Sequence, residues 1–245
     1  AAPGAIVPVA GPDGTDLPGI FPCFDYQTMA DLLDAQGITW RYYAPGTQDG
    51  YFIISAYQAI RHIFFGPDWQ TDVVSPETTV LTDIAAGKLA QVSWVVPTFN
   101  NSDHPGAPPL GPEWVANIVN AIGNSQYWNS TAIFIAWDDW GGWYDHVPPP
   151  QVDNMGLGFR VPVIVVSPYA KRGYISHVTH ESGSILHFTE EVFNLPSLGT
   201  RDASADDFSD CFDFTQTPAP LQKVQTAHTP TFFLEQKASG PPDDD

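Results

Sequence analysis

Residues 131–150 read TAIFIAWDDWGGWYDHVPPP, and they decide how the rest of the chain is interpreted. The first seven of these residues are mostly apolar, β-branched and aromatic, which predicts a buried strand. The strand ends at Asp138 and Asp139, where a Gly-Gly turn follows and leads to Asp145 and His146. In open α/β sheets, ligands bind beyond the carboxyl ends of the strands. This turn is therefore the first candidate for a functional site.

The adjacent carboxylates of Asp138 and Asp139 suggest a metal site. Two ionised carboxylates about 4 Å apart repel each other by roughly 4 kcal/mol at an effective dielectric constant near 20. A hard divalent cation removes that cost and prefers carboxylate oxygens as ligands. Calcium, magnesium or manganese would suit oxygen ligands alone, and an added histidine would admit zinc. The alternative is a solvated acidic turn that holds no metal.

The remaining chain alternates between helical and strand patterns, which predicts a single α/β domain over residues 1–245. Predicted helices cover residues 26–36, 55–65, 76–86, 111–122 and 184–194. Predicted strands cover residues 38–44, 89–96, 131–137 and 159–168. The last of these strands is almost entirely apolar, so we expect it to be buried on both faces, as parallel strands are. Residues 1–22 and 216–245 are rich in proline and are expected to be extended and loosely packed.

A second candidate loop follows the predicted strand over residues 89–96. Its sequence, TFNNSDHPGAPPL over residues 98–110, contains Asp103 and His104. In a parallel sheet this loop and the Asp138 turn would share one edge. His104 is predicted to contact phosphate or to donate a proton to a leaving group, with Asp103 beside it as a substrate contact. The alternative is an ordinary surface histidine.

A third loop, over residues 169–183, holds the only local concentration of cationic residues. It carries Lys171, Arg172, His177, His180 and Glu181. These side chains could line a pocket for an anion, and His180 is the predicted substrate contact among them. A solvated loop is the alternative interpretation.

Composition excludes several classes of partner. The formal charge is −19 with only nine Lys and Arg residues, which argues against binding to nucleic acids or to anionic membranes. No apolar run is long enough to predict a transmembrane segment. Cys23 and Cys211 either form one disulfide in an exported protein or remain free thiols. Neither cysteine lies in a basic, histidine-flanked loop, which argues against a cysteine nucleophile.

The string WDDWGGWYDHVPPP resembles the signature of the bacterial phosphoesterase family, which contains non-specific phospholipases C and metal-dependent acid phosphatases. The family belongs to the alkaline phosphatase-like superfamily. The segments NSDHPGAPPLGPEWVANIVNAI, FRVPVIVVSPYA and SGSILHFTEEVFNLPSLGTRDA also follow the order of this family. The resemblance covers most of residues 23–214. It implies a three-layer αβα sandwich with a mostly parallel central sheet, metal-dependent hydrolysis of phosphate esters, and a secreted or periplasmic location.

The resemblance also implies roles for single residues. Asp138 and Asp139 match the metal-binding pair, His104 matches the histidine that faces the phosphate, and Asp145 with His146 matches a supporting part of the signature. The substrate implied is a small phosphate ester or a phospholipid head group.

Two departures from the family pattern accompany this match. An upstream Glu-Asn pair and a hydroxyl nucleophile are not recognisable in residues 1–22, so a missing N-terminal segment or a second chain is expected to supply them. Phospholipases of the family carry Glu-His-Ser-Ser where this chain has Glu-Ser-Gly-Ser at residues 181–184, which favours a general phosphatase. A metal-stabilised binding domain without catalysis is an alternative, as is a sulfatase or phosphonate hydrolase of the same superfamily.

Overall fold

A computed structural model describes residues 6–11, 15–46, 56–153, 156–199 and 201–237. Strands β1 to β7 span Val7–Ala10, Asp16–Ile20, Trp40–Tyr43, Val73–Val74, Val92–Val95, Ile133–Ala136 and Val163–Val166. Helices α1 to α7 span Met29–Ala35, Arg61–Phe64, Asp68–Thr71, Thr79–Ala85, Gly111–Gly123, Ser182–Phe193 and Pro230–Leu234. The alternation confirms the predicted α/β class. The helix predicted over residues 55–65 is instead a 3₁₀ turn, Ala56–Ala59, followed by α2, and residue 55 lies outside the described part.

The central sheet is parallel and has the strand order β4-β3-β5. Side chains alternate between its two faces, so Trp40 and Tyr43 of β3 enter different cores. Trp40 packs with α1, where Leu33 is completely buried. Tyr43 packs with α4 and α5, where Trp114 is buried. Helices therefore cover both faces of a parallel sheet, as the predicted three-layer sandwich requires.

Strands β6 and β7 form a separate antiparallel pair, with Ile133 opposite Val166 and Ala136 opposite Val163. The expectation that residues 159–168 form a parallel strand buried on both faces is wrong. Val163 is 40% exposed and Ile164 is 49% exposed. An apolar run specifies a strand, but it contains no information about the direction of the neighbouring strand or about what covers its faces.

The described residues of the N-terminal region form a hairpin. Strands β1 and β2 pair antiparallel, with Val7 opposite Ile20 and Val9 opposite Leu17. Leu17 and Ile20 are each 45% exposed, so this hairpin buries little apolar surface. Residues 1–5 and 12–14 of the predicted extended segment lie outside the described part.

The C-terminal region corrects another expectation, because residues 216–237 are packed on the domain rather than loosely attached. The Asn120 side chain exchanges two hydrogen bonds with the backbone of Val224, at 2.8 and 3.0 Å. Phe233 of α7 is 1% exposed and its ring lies 5.3 Å from that of Trp114. Few apolar residues are needed for this packing, and their irregular spacing produces no periodic signal. Residues 238–245 lie outside the described part.

The two cysteines do not form the predicted disulfide. Cys23 is exposed and Cys211 is partly buried, and both are free thiols. Burial raises the pKa of the Cys211 thiol to about 11, with a further contribution from the neighbouring Asp210 carboxylate. Sequence position near the two chain ends could not show whether the thiols meet. Within the described ranges, no helix has the length and apolar character needed to cross a membrane.

Candidate functional site

The turn after β6 and the loop after β5 are in direct contact. Trp137, the residue that precedes the carboxylate pair, donates a hydrogen bond from Nε1 to Asp103 Oδ2 at 3.1 Å. A Cβ atom at Gly141 would lie only 3.2 Å from Cγ of Pro105, so the backbone of the turn touches the Asp-His-Pro segment. The structure thus brings together the two loops that carry His104 and the Asp-Asp pair.

The turn itself depends on glycine. Gly141 and Gly142 adopt φ angles of 57° and 76°, in the left-handed region that costs other residues energy. Asp139 stabilises this conformation by accepting a hydrogen bond at Oδ1 from the Gly141 amide at 2.6 Å. Asp138 and Asp139 are both exposed directly after the strand. The local sequence therefore presents two carboxylates at the end of β6 and reverses the chain immediately behind them.

The carboxylate pair offers the oxygen ligands that a hard cation prefers, but it supplies only part of a coordination shell. Calcium takes six to eight oxygens and magnesium takes about six. Among the described residues, no third His, Cys, Asp or Glu side chain joins Asp138 and Asp139 closely enough to complete a three-ligand group. Water, phosphate oxygens of a substrate or residues beyond the described part would have to provide the other ligands.

Asp145 is paired with an arginine that lies beyond the turn. Arg160 donates from Nε to Oδ2 at 2.7 Å and from Nη2 to Oδ1 at 2.8 Å, and this bidentate pair holds the pKa of Asp145 well below its usual range. Both carboxylate oxygens are therefore engaged with a guanidinium. The Val147 amide also donates to Asp145, at 3.2 Å. Asp145 fixes the end of the turn, and Arg160 is a site residue that the sequence interpretation missed.

The His104 ring has a defined protonation pattern. Its Nδ1 lies 2.8 Å from the carbonyl oxygen of Pro105, and a carbonyl can only accept a hydrogen bond. The proton of the neutral imidazole is thereby assigned to Nδ1, which leaves a lone pair on Nε2. The ring packs 5.3 Å from Phe99, and the backbone amide of His104 donates to Ser102 Oγ at 3.2 Å. In this state Nε2 can accept a proton, and it can donate one only when the ring is doubly protonated.

His180, the third predicted substrate contact, lies in another group of side chains. Its Nε2 is 2.9 Å from Ser176 Oγ, its Nδ1 is 2.9 Å from Asp206 Oδ1, and its ring stacks on Phe208 at 4.0 Å. Lys171 of the same loop donates from Nζ to the Asp210 carbonyl oxygen at 2.7 Å. No contact within the described ranges joins His180 to His104 or to the carboxylate pair. A substrate role for His180 stays a prediction.

Exposed aromatic rings surround the turn. Trp143 is 79% exposed and Tyr144 is 69% exposed. Phe159 supports this surface, with its ring 5.6 Å from Tyr144 and 5.1 Å from Trp140. His146 is exposed and lies edge-on to Tyr144 at 4.9 Å. The aromatic residues are visible in the sequence WDDWGGWYDH, but strand and turn patterns alone could not show that their rings are exposed.

Comparison with known proteins gives the context of this geometry. Residues 10–196 match the model of the Phosphoesterase family. The non-hemolytic phospholipase C of Pseudomonas aeruginosa is 28% identical, over 78% of this chain and 33% of its own length. Phospholipase C B of Mycobacterium tuberculosis is 28% identical, over 85% of this chain and 49% of its own length. The non-specific phospholipase C6 of Arabidopsis thaliana is 32% identical, over 56% and 33%. The chain thus spans about a third to about half the length of these relatives.

Proposed function

This chain belongs to the phosphoesterase family, and from that premise we propose that it acts in the hydrolysis of phosphate esters. The observation that carries the proposal is the contact between the two loops after β5 and β6. On these loops lie two exposed carboxylates and the His104 imidazole, whose Nε2 has no hydrogen-bond partner among the described residues. Such groups support proton movement and charge stabilisation in phosphoryl transfer.

We assign Asp138 and Asp139 as ligands of a divalent cation, which would polarise phosphoryl oxygens when bound. The Gly141 amide holds Asp139 at 2.6 Å, so one carboxylate is oriented before any ligand arrives. Arg160 and Asp145 fix the far end of the turn. The chain's contribution at this point is thus one pre-oriented carboxylate, that of Asp139, beside the exposed carboxylate of Asp138.

The proposed role of His104 is proton transfer at Nε2. The Pro105 carbonyl accepts from Nδ1 at 2.8 Å and fixes the ring in one orientation. Nε2 would accept a proton from an attacking hydroxyl, or donate one to the leaving oxygen when the ring is doubly protonated. Asp103 has an indirect role in this arrangement, because its carboxylate accepts from Trp137 and thereby links the two loops.

We propose that the substrate is a phosphate ester with an apolar portion, since Trp143 and Tyr144 offer aromatic surface beside the turn. The names of the relatives support a phospholipid substrate. Ser182 stands where phospholipases of the family carry a histidine, and this difference favours a wider range of phosphate esters. A charge of −19 disfavours an anionic surface and is compatible with zwitterionic head groups. An acidic chain with few lysines also suits the secreted or periplasmic location implied by its signature.

The test uses a protein that includes the upstream segment expected to supply the Glu-Asn pair and the nucleophile. It compares the unmodified protein with Asp138→Asn and Asp139→Asn variants on p-nitrophenyl phosphate and phosphatidylcholine, with Mg²⁺, Ca²⁺, Mn²⁺ or Zn²⁺ added separately. Each variant should lose turnover by roughly 10²–10³-fold, the usual cost of removing one group that stabilises developing charge. His104→Gln should lose roughly 10²–10⁴-fold. Glu235→Gln, an exposed substitution at the end of α7, is the matched control and should retain full turnover.

Unchanged turnover in the Asp138 and Asp139 variants would refute the assignment. A second candidate function has one observation in its favour, namely that the hydroxyl nucleophile expected of the family is not recognisable in residues 1–22. In that case the pair binds a cation without catalysis. Metal-dependent melting without hydrolysis of either phosphate ester would support it, and parallel assays with p-nitrophenyl sulfate would detect a sulfatase.

A further inference from the structure

Three potential metal ligands converge where the loop over residues 169–183 meets the 3₁₀ turn Ser209–Cys211. They belong to His180, Asp210 and Cys211, and one ligand atom of each lies within 4.8 Å of the others. Asp210 Oδ1 is 3.6 Å from His180 Nε2 and 3.5 Å from Cys211 Sγ. A tetrahedral zinc ion with bonds of about 2.0–2.3 Å separates its ligands by roughly 3.3–3.8 Å. The two measured separations already match that spacing.

The orientation of Asp210 is fixed by its other oxygen. Tyr174 donates its hydroxyl proton to Oδ2 at 2.9 Å, and Ser176 donates to the same atom at 2.6 Å. Both donors occupy Oδ2, so the carboxylate is held with Oδ1 directed towards His180 and Cys211. The ligand oxygen is therefore positioned by groups that do not themselves need to bind the metal.

Both ring nitrogens of His180 face hydrogen-bond acceptors, and a neutral imidazole has only one N–H group to donate. A cation bound at one nitrogen would remove this mismatch. Ser176 has one hydroxyl proton and places it on Asp210, so its oxygen can only accept from His180 Nε2 at 2.9 Å. On the other side of the ring, Nδ1 is completely buried and lies 2.9 Å from Asp206 Oδ1 without an aligned hydrogen bond. A metal on Nε2 would allow the single proton to reside on Nδ1, facing Asp206.

We propose that His180, Asp210 and Cys211 bind a divalent transition-metal cation, with zinc as the best match. A mixed set of nitrogen, oxygen and sulfur donors is typical of zinc and unsuited to calcium or magnesium. Asp206 would be the carboxylate that orients the ligand histidine, an arrangement found at most histidine–metal sites. Binding replaces the Cys211 thiol proton, which passes to solvent, and leaves the fourth tetrahedral position to water.

The ion would link two segments that are about thirty residues apart in the chain. The loop with His180 precedes α6, and the segment with Asp210 and Cys211 follows it. Lys171 already connects the same segments through its 2.7 Å bond to the Asp210 carbonyl oxygen. The proposal does not depend on the phosphoesterase site, because none of its ligands is assigned there as a metal ligand.

Cobalt substitution gives a specific test, because a thiolate ligand produces a charge-transfer band in the near ultraviolet and carboxylate oxygens do not. The full chain is prepared with Cys23→Ser, which leaves Cys211 as its only thiol. Addition of Co²⁺ should produce the band, added Zn²⁺ should abolish it, and Zn²⁺ should protect the thiol from a thiol reagent. The double variant Asp138→Asn/Asp139→Asn should show the same band.

Cys211→Ser is the conservative ligand variant and should abolish the band, with Cys23→Ser as its matched control. Asp206→Asn should weaken zinc binding by about 10–100-fold, as expected for loss of the carboxylate behind a ligand histidine. The proposal is overturned if Cys23→Ser shows no band, or if Cys211→Ser binds zinc as tightly as the control. It is also overturned if NMR shows a doubly protonated His180 that does not respond to added zinc.

Discussion

Arg160 holds Asp145 through two charge-assisted hydrogen bonds, and the pKa of Asp145 is lowered as a result. A carboxyl group with a lowered folded-state pKa stabilises the fold above its unfolded value, near 3.9. That contribution falls as the pH drops from this value through the folded-state pKa. We therefore predict that Arg160→Gln lowers the melting temperature at neutral pH, and that the difference from the unmodified chain shrinks below about pH 4.

Thermal unfolding followed by circular dichroism at about pH 7, 5 and 3 measures this difference. Arg172→Gln removes an exposed arginine from another loop and is the control for the change in net charge. A melting difference that grows in acid, or that Arg172→Gln reproduces, would contradict the ion-pair explanation.

At the scale of residues, the sequence indicates candidate site residues better than it indicates which side chains contact them. The residue types of Asp138, Asp139 and His104, taken with the resemblance to the phosphoesterase signature, predict a phosphate site, which stays a prediction. The Asp145–Arg160 pair could not be predicted, because its members are 15 residues apart and no local pattern connects an exposed arginine with one particular acid. The same limit applies to His180, whose partner Asp206 lies beyond an intervening helix.

His62 connects α2 with the start of α1 and with the loop before it. Its Nδ1 lies 2.6 Å from Asp25 Oδ1, and its Nε2 lies 3.0 Å from Asp31 Oδ1, while Asp31 forms the capping box of α1 with Thr28. The hydrogen bond to Asp25 is the main cause that raises the pKa of His62, and Asp31 adds to it. These contacts give His62 a structural role.

The raised pKa of His62 gives a pH dependence of opposite sign to that of Asp145. The stabilisation is fully present below the unfolded value, near 6.5, and is lost as the pH rises through the folded-state pKa. We predict that His62→Gln destabilises the fold at about pH 6 and has a smaller effect at about pH 8–9, where Asp25, Asp31 and the nearby Asp68 remain charged.

Urea unfolding at both pH values measures this effect, with His177→Gln as an exposed control. His62 is 35% and Asp25 is 57% exposed, so solvent screening keeps the expected change below about 1 kcal/mol. A destabilisation that is equal at both pH values would indicate lost packing instead of a lost ion pair.

At the scale of elements, apolar patterns predicted α1, α5, α6 and two strands of the parallel sheet, β3 and β5. The third strand of that sheet, β4, has only two residues and was not predicted. Local signals also fix some ends, since Thr28 and Asp31 are the residue types of a capping box. Pairing between distant segments was not accessible in the same way. Strand β7 is apolar enough for a parallel sheet, yet it pairs antiparallel with β6. Its direction depends on the path of the connecting segment, which carries no periodic signal.

The C-terminal segment packs against the rest of the domain and adds a buried ring to one of its cores. Residues 219–233 cross α5 and the following 3₁₀ turn, Trp128–Ser130. Trp128 donates from Nε1 to the Ala219 carbonyl oxygen at 2.9 Å, and Leu221 packs on Gly123 of α5. α7 then adds Phe233 to the core that contains Tyr43 and α4. The sequence predicts the α/β class correctly, because its core strands and helices carry apolar patterns. The sequence did not predict that the C-terminal segment is packed on the domain. This segment stabilises the fold through one buried ring and several side-chain hydrogen bonds.

Phe233→Ala tests whether that segment belongs to the cooperative fold. Removing a buried phenylalanine ring costs about 3–5 kcal/mol, because apolar contacts are lost and a cavity remains beside Trp114. Leu234→Ala changes the next residue of α7, which is 42% exposed, and should cost less than about 1.5 kcal/mol. Urea unfolding of the full chain compares the two variants. If the segment were loosely attached, both substitutions would have the same small effect. A selective loss in Phe233→Ala, at an unchanged denaturant dependence, would mean that the C-terminal segment and the parallel sheet unfold together.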